Sequence, residues 1–350
     1  MEGSEVTYYT VANDKFFVGV VCLVNSLRLT GNEGEIVVLD QGLTSEQRSL
    51  LEGHATLVTE EAIFGDTVSD ERRVFLAKPY PRVMRPTGIV VIIDSDVIVT
   101  SSLSPAMEAA REGRITAYPN PRSVRVFEEW RSIFDLGSPL RDQPYVGAGF
   151  LAFSMDHWPS LLDRWWECCL AVADGRGNDV PQAVEQLDQD ALNALLMSEF
   201  PAKALEIRPM EESASFSPLN EAKLIDAKTL RCRMRGLSPA LLHHAGTGKP
   251  WEGYAWVHLR RNPYVLLIPR VLFWDDVPLR LGVRSVPLWL RPTVLGRGAS
   301  MLLGSLNALK ARLILPLWRR VPIALRRRLM RSVGRAVPAK LRPPKLSQAA

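Results

Sequence analysis

Two carboxylates one residue apart, Asp94 and Asp96, follow directly on the run Gly88-Ile89-Val90-Val91-Ile92-Ile93. Carboxylate oxygens are hard donors. A pair of them on an extended or turning segment can hold Mg²⁺ or Mn²⁺ together with a substrate phosphate. Asp and Ser also favour turns, so an acidic turn closing a strand is the other reading of Asp94-Ser95-Asp96. A second stretch with chemical potential is His243-His244-Ala245-Gly246-Thr247-Gly248-Lys249-Pro250-Trp251. An imidazole can complete a metal site begun by carboxylates. Glycines let a backbone approach phosphate closely, and a lysine neutralises phosphate as a point charge. A loop holding a core histidine and a turn is the alternative for this stretch.

The elements that must position these groups are legible from pattern. The run before Asp94 is apolar and mostly β-branched, as in a strand buried on both faces. Its end is where ligands bind in open α/β sheets. Upstream, residues 6–11 read as a strand, broken by Ala12-Asn13-Asp14-Lys15, and residues 18–29 as a helix. Residues 35–39 form a second strand. Thr44 with Gln47 spells a capping box for a short helix. Residues 55–58 form a third strand, and residues 75–83 a helix ending near Arg85-Pro86. This alternation predicts an α/β fold with a mostly parallel central sheet flanked by helices. Further on, strands are expected over 115–118, 149–153, 204–207 and 241–244, and helices over 158–173 and 188–199. Residues 122–144 carry scattered Pro and Arg and give no clear period. No GxGxxG or Walker A sequence is present, which argues against dinucleotide and P-loop sites.

Composition bounds the rest. The 350 residues are 47% hydrophobic, enough for a large core. The net charge of +5 is unevenly spread: residues 257–350 hold 19 Lys/Arg against 2 Asp/Glu, leaving 24 basic and 36 acidic residues in 1–256. An acidic body with a basic tail points the tail at something anionic. Cys22, Cys168, Cys169 and Cys232 show no CxxC spacing, so neither a zinc site nor a disulfide framework is expected, and a reducing compartment fits. Met1 to Glu5 lack the basic region of a secretory signal, and no apolar run reaches the roughly 20 residues needed to span a bilayer.

Taken in order, these motifs resemble glycosyltransferase family 8, the retaining nucleotide-sugar transferases. The family pattern His-x-x-Gly-x-x-Lys-Pro-Trp fits His243, Gly246, Lys249, Pro250 and Trp251. Its Asp-x-Asp fits Asp94 and Asp96, and its early Asn-Asp with a following aromatic fits Asn13, Asp14 and Phe16. A lysine in the helix before the metal strand fits Lys78. An Asp-Gln dipeptide fits Asp188-Gln189, followed by Asn193. The resemblance covers roughly residues 5–256, expected as one catalytic domain, with 257–350 as a basic extension. It implies a GT-A fold, a divalent cation (Mn²⁺, or Mg²⁺) and a UDP-sugar donor. It implies Asp94, Asp96 and His243 as metal ligands, with Asp94 also near the ribose. Asn13 and Phe16 match positions that hold and stack uracil, and Ala12 and Ser95 are further donor-binding positions. Lys78, Gly246 and Lys249 match positions near the diphosphate. Asp188 matches a donor-sugar contact, and Gln189 the residue beneath the anomeric carbon. Catalysis would rest on Gln189, Asp188 and Lys78.

Two positions depart from the family pattern. Gly147, in Tyr145-Val146-Gly147-Ala148-Gly149, stands where an Asn usually touches the donor sugar. Leu187 stands where a Gly is frequent before the Asp-Gln pair. Asp190 reads either as a charge favouring the helix N-terminus or as a sugar contact. His244 is expected to be structural, and Asp275-Asp276 a solvated turn.

In the tail, a helix over 325–337 would set Leu325, Leu329, Val333, Ala336 and Val337 on one face, with Arg326, Arg327, Arg328, Arg331 and Arg335 around the rest. That pattern suits a helix lying in an anionic membrane interface, with Trp289 and Trp318 nearby. A solvated helix covering the catalytic domain is the alternative. Nucleic acid is not expected, since aromatics do not interleave the charges. The expected partners are therefore a nucleotide-sugar donor, a glycan or lipid-linked acceptor and a membrane surface. The expected place is cytoplasmic, peripheral on the inner face of the cell membrane. Two other function classes compete. A degenerate transferase fold could serve as a binding or scaffold protein. A haloacid-dehalogenase-type phosphatase also has Asp-x-Asp after an apolar strand, but Ile98 stands where its Thr belongs.

Overall fold

Strand β1 (Val6–Ala12) opens the chain and is buried along nearly its whole length. Helix α1 (Phe17–Leu29) follows, then β2 (Glu35–Asp40), α2 (Ser45–Leu51) and β3 (Thr56–Thr59). The computed structural model describes residues 5–59, 76–84, 86–120, 125–174, 182–215, 218–246, 248–253, 262–310 and 312. The capping box at α2 forms as read: the Thr44 hydroxyl accepts from the Gln47 amide at 3.2 Å, and Gln47 Oε1 accepts from the Thr44 amide at 3.0 Å.

The chain continues through α3 (Pro81–Met84), β4 (Ile89–Ile93), β5 (Val97–Val99), α4 (Ser104–Arg111), β6 (Ile115–Pro119), α5 (Trp130–Ile133) and β7 (Val146–Ser154). Then come α6 (Leu161–Asp174), α7 (Asp188–Ser198), β8 (Leu205–Ile207), β9 (Ser213–Ser215), β10 (Lys223–Asp226), β11 (Arg231–Arg233), β12 (Leu241–His243), α8 (Pro263–Phe273) and α9 (Val294–Leu309).

The main sheet has seven strands in the order β3-β2-β1-β4-β7-β6-β8. Neighbours are parallel except around β7, which runs antiparallel to both β4 and β6. The expected α/β class with a mostly parallel sheet is borne out. Strand β4 lies in the middle, and all five of its residues are buried. At about 1.5–3 kcal/mol for each fully buried aliphatic side chain, it is among the most strongly held segments. Gly88 enters it at φ +69°, where a Cβ would lie 2.7 Å from the Glu5 carbonyl oxygen. Only glycine fits that approach.

A small three-stranded sheet, β5-β12-β9, adjoins the C-terminal end of β4. It exists because the chain reverses at Asp94–Val97 and pairs Val97 with His243 and Ile98 with Leu242.

The chain divides into two compact units: Met1–Ala245 with Asn262–Leu281, and Gly246–Arg261 with Gly282–Ala350. The first unit thus takes in residues 262–281, a stretch assigned to the extension on sequence. They are held there by Asn25 of α1, whose amide donates to the carbonyls of Val271 and Leu279 at 2.7 Å each and accepts from the Leu279 amide at 2.9 Å. The acidic pair at 275–276 is engaged in ion pairs: Asp276 pairs with Arg270 at 2.8 Å and Asp275 with Arg280 at 2.6 Å. In the second unit, Trp289 Nε1 donates to the Pro250 carbonyl at 2.8 Å. Thr293 caps α9 by accepting from the Gly296 amide at 3.0 Å. A Cβ at Gly296 would fall 2.3 Å from the Arg291 carbonyl oxygen, so this glycine lets α9 close on the segment before it.

Four sequence expectations need correction or placement. The helix expected over 75–83 is interrupted: residues 77–79 form a bend and helical geometry resumes only at Pro81. Pro79 and Pro81 account for this, because each lacks an N–H and pushes the preceding residue out of the helical region. The strand expected from 149 begins earlier, at Val146. The helix expected from 158 begins at Leu161. The tail helix over 325–337 and Trp318 lie outside the described residues. All four cysteines are buried free thiols.

Candidate active site

Asp94 is the first residue after β4. Its amide donates to the Gly149 carbonyl at 3.0 Å, and its carbonyl accepts from Val97 at 3.2 Å. The second bond closes a turn over Asp94-Ser95-Asp96-Val97, so the strand end does run into an acidic turn. Ser95 and Asp96 are buried within the turn. Pairing of β5 with β12 sets His243 opposite Val97, one residue from Asp96. His243 Nε2 lies 3.2 Å from Asp96 Oδ1 and 3.5 Å from Asp94 Oδ2. Among the described residues, Asp94, Asp96 and His243 can each offer a ligand atom within 4.8 Å of the others.

Space for an ion comes from Gly149 on β7. A Cβ there would lie 2.6 Å from His243 Cε1 and 2.9 Å from Asp94 Oδ2. Glycine inside a strand marks such a close approach. Hard oxygens with one imidazole suit Mn²⁺ or Mg²⁺, so the residues fit a divalent cation.

Lys78 reaches the same place from the 77–79 bend. Its Nζ is 2.9 Å from Asp94 Oδ1, 3.6 Å from Asp188 Oδ2, and donates to the Ala148 carbonyl at 2.9 Å. The bend is fixed from below: the Tyr9 hydroxyl of β1 donates to the Ala77 carbonyl at 2.6 Å, and the Tyr9 and Tyr80 rings stack at 6.4 Å. Burial alone would discourage the Lys78 charge, but Asp94 and Asp188 outweigh it and hold the ammonium well above its usual range. Burial raises the Asp188 carboxyl; Lys78 pulls it partly back and Asp94 adds to the rise. Asp188 Oδ2 is buried and accepts no hydrogen bond.

Asp188 and Gln189 begin α7. Leu187, just before them, sits at φ +51°, ψ −111°. A side-chain-bearing residue there stores on the order of 1–3 kcal/mol of strain, which explains why glycine suits this position. Gln189 Oε1 accepts from the Ala148 amide at 3.0 Å, and Nε2 donates to the Tyr145 hydroxyl at 3.0 Å. Ala148 therefore touches Gln189 through its N–H and Lys78 through its carbonyl. Gly147 leaves room beside the amide: a Cβ there would lie 3.8 Å from Gln189 Oε1. Asn193 ties α7 to β7, exchanging bonds of 2.7 and 2.8 Å with the Val146 backbone.

Ala12 ends β1 beside β4, so the 12–16 loop opens at the same sheet edge as Asp94. Asn13 Oδ1 accepts from the amides of Lys15 and Phe16 at 3.1 and 3.2 Å, shaping the turn into α1. Phe16 is half-buried. His244 packs its ring 5.3 Å from that of Tyr264. Gly246 and Lys249 belong to the second unit, where Lys249 Nζ donates to the Gly246 carbonyl at 2.6 Å.

Asp190 settles between its two readings as neither a plain dipole charge nor an open sugar contact. It is fully buried, paired with Arg125 and hydrogen-bonded by Tyr145. Arg125 and Tyr145 were not singled out from sequence. Arg125 comes from the stretch without a period and Tyr145 directly follows it; only the isolation of an arginine among apolar residues could have flagged one of them.

No protein-family model matches the chain, and no curated protein matches it in sequence. Solved structures do resemble it. The bifunctional glycosyltransferase WbbM aligns with 79% of this chain at 17% identity and a TM-score of 0.49, and the chain spans 50% of that protein's length. The galactosyltransferase LgtC, solved with donor and acceptor sugar analogues, aligns with 77% of this chain at 17% identity and a TM-score of 0.48, over 98% of its own length. The glycosyltransferase GlyE of Streptococcus pneumoniae TIGR4 aligns with 71% at 17% identity and a TM-score of 0.44, over 56% of its length.

Proposed function

We propose that this chain is a GT-A glycosyltransferase that moves a hexose from a UDP-sugar to a glycan or lipid-linked cell-envelope acceptor, retaining the anomeric configuration. The observation that carries the proposal is the gathering of Asp94, Asp96 and His243 with Lys78, Asp188 and Gln189 at one end of the central strand. Those residues are far apart in sequence, and they suit the two halves of one reaction. Asp94, Asp96 and His243 would hold Mn²⁺ or Mg²⁺, which when bound supplies Lewis-acid neutralisation of a departing diphosphate. Lys78 adds a fixed positive charge beside that position, an electrostatic contribution that needs no reorganisation. The 12–16 loop at the neighbouring strand end is suited to the uracil, with Asn13 and Phe16 as its contacts. Asp188, whose side chain is 23% exposed beside Lys78, is suited to a sugar hydroxyl.

Cleavage of the sugar–phosphate bond makes the sugar oxocarbenium-like. Gln189 is a neutral amide and a poor nucleophile. It serves this reading as a dipole facing the anomeric carbon, while the acceptor attacks on the face the diphosphate leaves.

The same reading includes an anionic membrane surface as a partner. No helix among the described residues is long and apolar enough to cross a membrane. Helix α9, however, exposes Val294, Leu295, Met301, Leu302, Leu306 and Leu309, and no Asp or Glu occurs after Asp276. An apolar stripe in an entirely cationic segment suits an interfacial helix.

The decisive experiment screens purified protein with Mn²⁺ against a set of nucleotide sugars. Metal-dependent UDP release from one of them is expected, and no turnover or binding of any UDP-sugar, with or without metal, would sink the proposal. For the surface, Leu302→Glu/Leu306→Glu should reduce sedimentation with phosphatidylserine vesicles. Unchanged sedimentation would remove the membrane from the reading.

A further inference from the structure

We infer that Tyr145, Asp190 and Arg125 are positioning residues that lock the side-chain amide of Gln189 with its oxygen, not its nitrogen, toward Ala148 and the space beside Gly147. The inference rests on the reading of this cluster as a sugar-transfer site and deepens it.

The argument is one of donors and acceptors. The Ala148 amide can only donate, so the Gln189 atom facing it must be the oxygen. The Tyr145 hydroxyl donates to Asp190 Oδ1 at 2.7 Å, so it meets Gln189 as an acceptor, and the atom facing it must be Nε2. Asp190 is held in turn. Arg125 spans both of its oxygens at 3.1 Å each, and the Gln186 amide donates to Oδ2 at 2.7 Å. Arg125 itself lies over the Phe127 ring at 5.0 Å. Turning the amide over would set N–H against N–H at Ala148. It would also call the Tyr145 proton away from a fully buried carboxylate. Leaving a buried polar group unsatisfied costs far more than a hydrogen bond gains, so the network admits one orientation.

The orientation matters because amide oxygen and nitrogen carry opposite partial charge. Oxygen beside a cationic sugar carbon lowers the barrier, and nitrogen raises it. Tyr145 is thus bound to the reaction through Gln189 and not through contact with substrate. Tyr145 stands directly before β7, two residues ahead of Gly147.

Tyr145→Phe removes the hydroxyl and keeps the ring. With the best nucleotide sugar from the donor screen, kcat is expected to fall about tenfold, the worth of one hydrogen bond, with donor KM within twofold. In a Gln189→Ala background the same substitution should cost nothing further, because residues acting as a unit are non-additive. An equal loss in both backgrounds, or no loss in either, would overturn the inference. Crystal structures of the full-length wild type and Tyr145→Phe give an arm that needs no activity. Gln189 turned or disordered in the variant supports the inference, and an unchanged amide contradicts it. Absence of transfer by the wild type would count against the proposed function alone, while the crystallographic arm still decides the role of Tyr145.

Discussion

Two carboxylate clusters flank the start of α7, and they are balanced differently. On one side, Asp94, Asp96 and Asp188 lie about the Lys78 ammonium, with His243 beside them. On the other, Asp190 has a bidentate guanidinium, a phenol and a backbone amide, and no exposure. The second cluster is closed on itself. The first brings the carboxylates of Asp94 and Asp96 and the His243 imidazole within ligand distance of one another beside Gly149, a donor set that suits a divalent cation. Similar residue types are thus set differently: Asp190 is wholly enclosed, whereas Asp94 keeps part of its side chain exposed.

The comparison can be broken at either end. The largest effect is expected at Asp96. Asp96→Ala should lower turnover more than a thousandfold, with melting temperature nearly unchanged, and retained activity would place the metal elsewhere. At the closed cluster the signature reverses. Asp190→Ala leaves Arg125 buried without its partner and should cost about 3–5 kcal/mol in urea denaturation, while Mn²⁺ titration by water-proton relaxation stays as in the wild type. Gly149→Ala comes next: a methyl group in the cleared space should weaken Mn²⁺ binding about 10–100-fold, the range seen when groups supporting a metal site are altered. An unaltered Mn²⁺ affinity would show that the space is not used by the ion.

The smallest effect lies away from the site, at Asp40. Burial would raise its carboxyl, but the Arg48 side chain and the amides of Leu43 and Gly42 more than reverse that and hold it below its usual range. A depressed carboxyl contributes stability above its unfolded pKa of about 3.9 and loses it as pH falls through the folded value. Asp40→Asn should therefore lower stability at neutral pH, where the contribution is fully present, and flatten the further loss below about pH 4. An identical acid limb in the two proteins would contradict this.

How much was legible in the sequence follows from how local each feature is. Strand β4 and the capping box at Thr44 are written in adjacent residues and emerged as read. His243 was legible through motif spacing, and the structure adds the reason: the β5–β12 register delivers it beside Asp96. Lys78 reaches the cluster from a bend imposed by Pro79 and Pro81 and braced by Tyr9, a residue nearly seventy positions earlier. Tyr145 and Arg125 were not legible, because what defines them is Asp190, brought near by the packing of α7 on β7. Likewise, Gly149 reads in sequence as an ordinary strand residue, and its meaning appears only with His243 and Asp94 in place. The basic tail announced itself by charge, whereas the exposed apolar face of α9 did not, since it is spread over alternating small and apolar residues and no apolar run of the chain is long enough to span a bilayer.

The central claim is that the Asp94–Asp96–His243 cluster takes a cation in order to hold a nucleoside diphosphate. Titration of UDP into the full-length protein by calorimetry, with and without Mn²⁺, tests it most directly. The account predicts one-site binding that requires Mn²⁺ and is lost in Asp96→Ala. Binding of equal strength without the metal, or no binding in either condition, would contradict it.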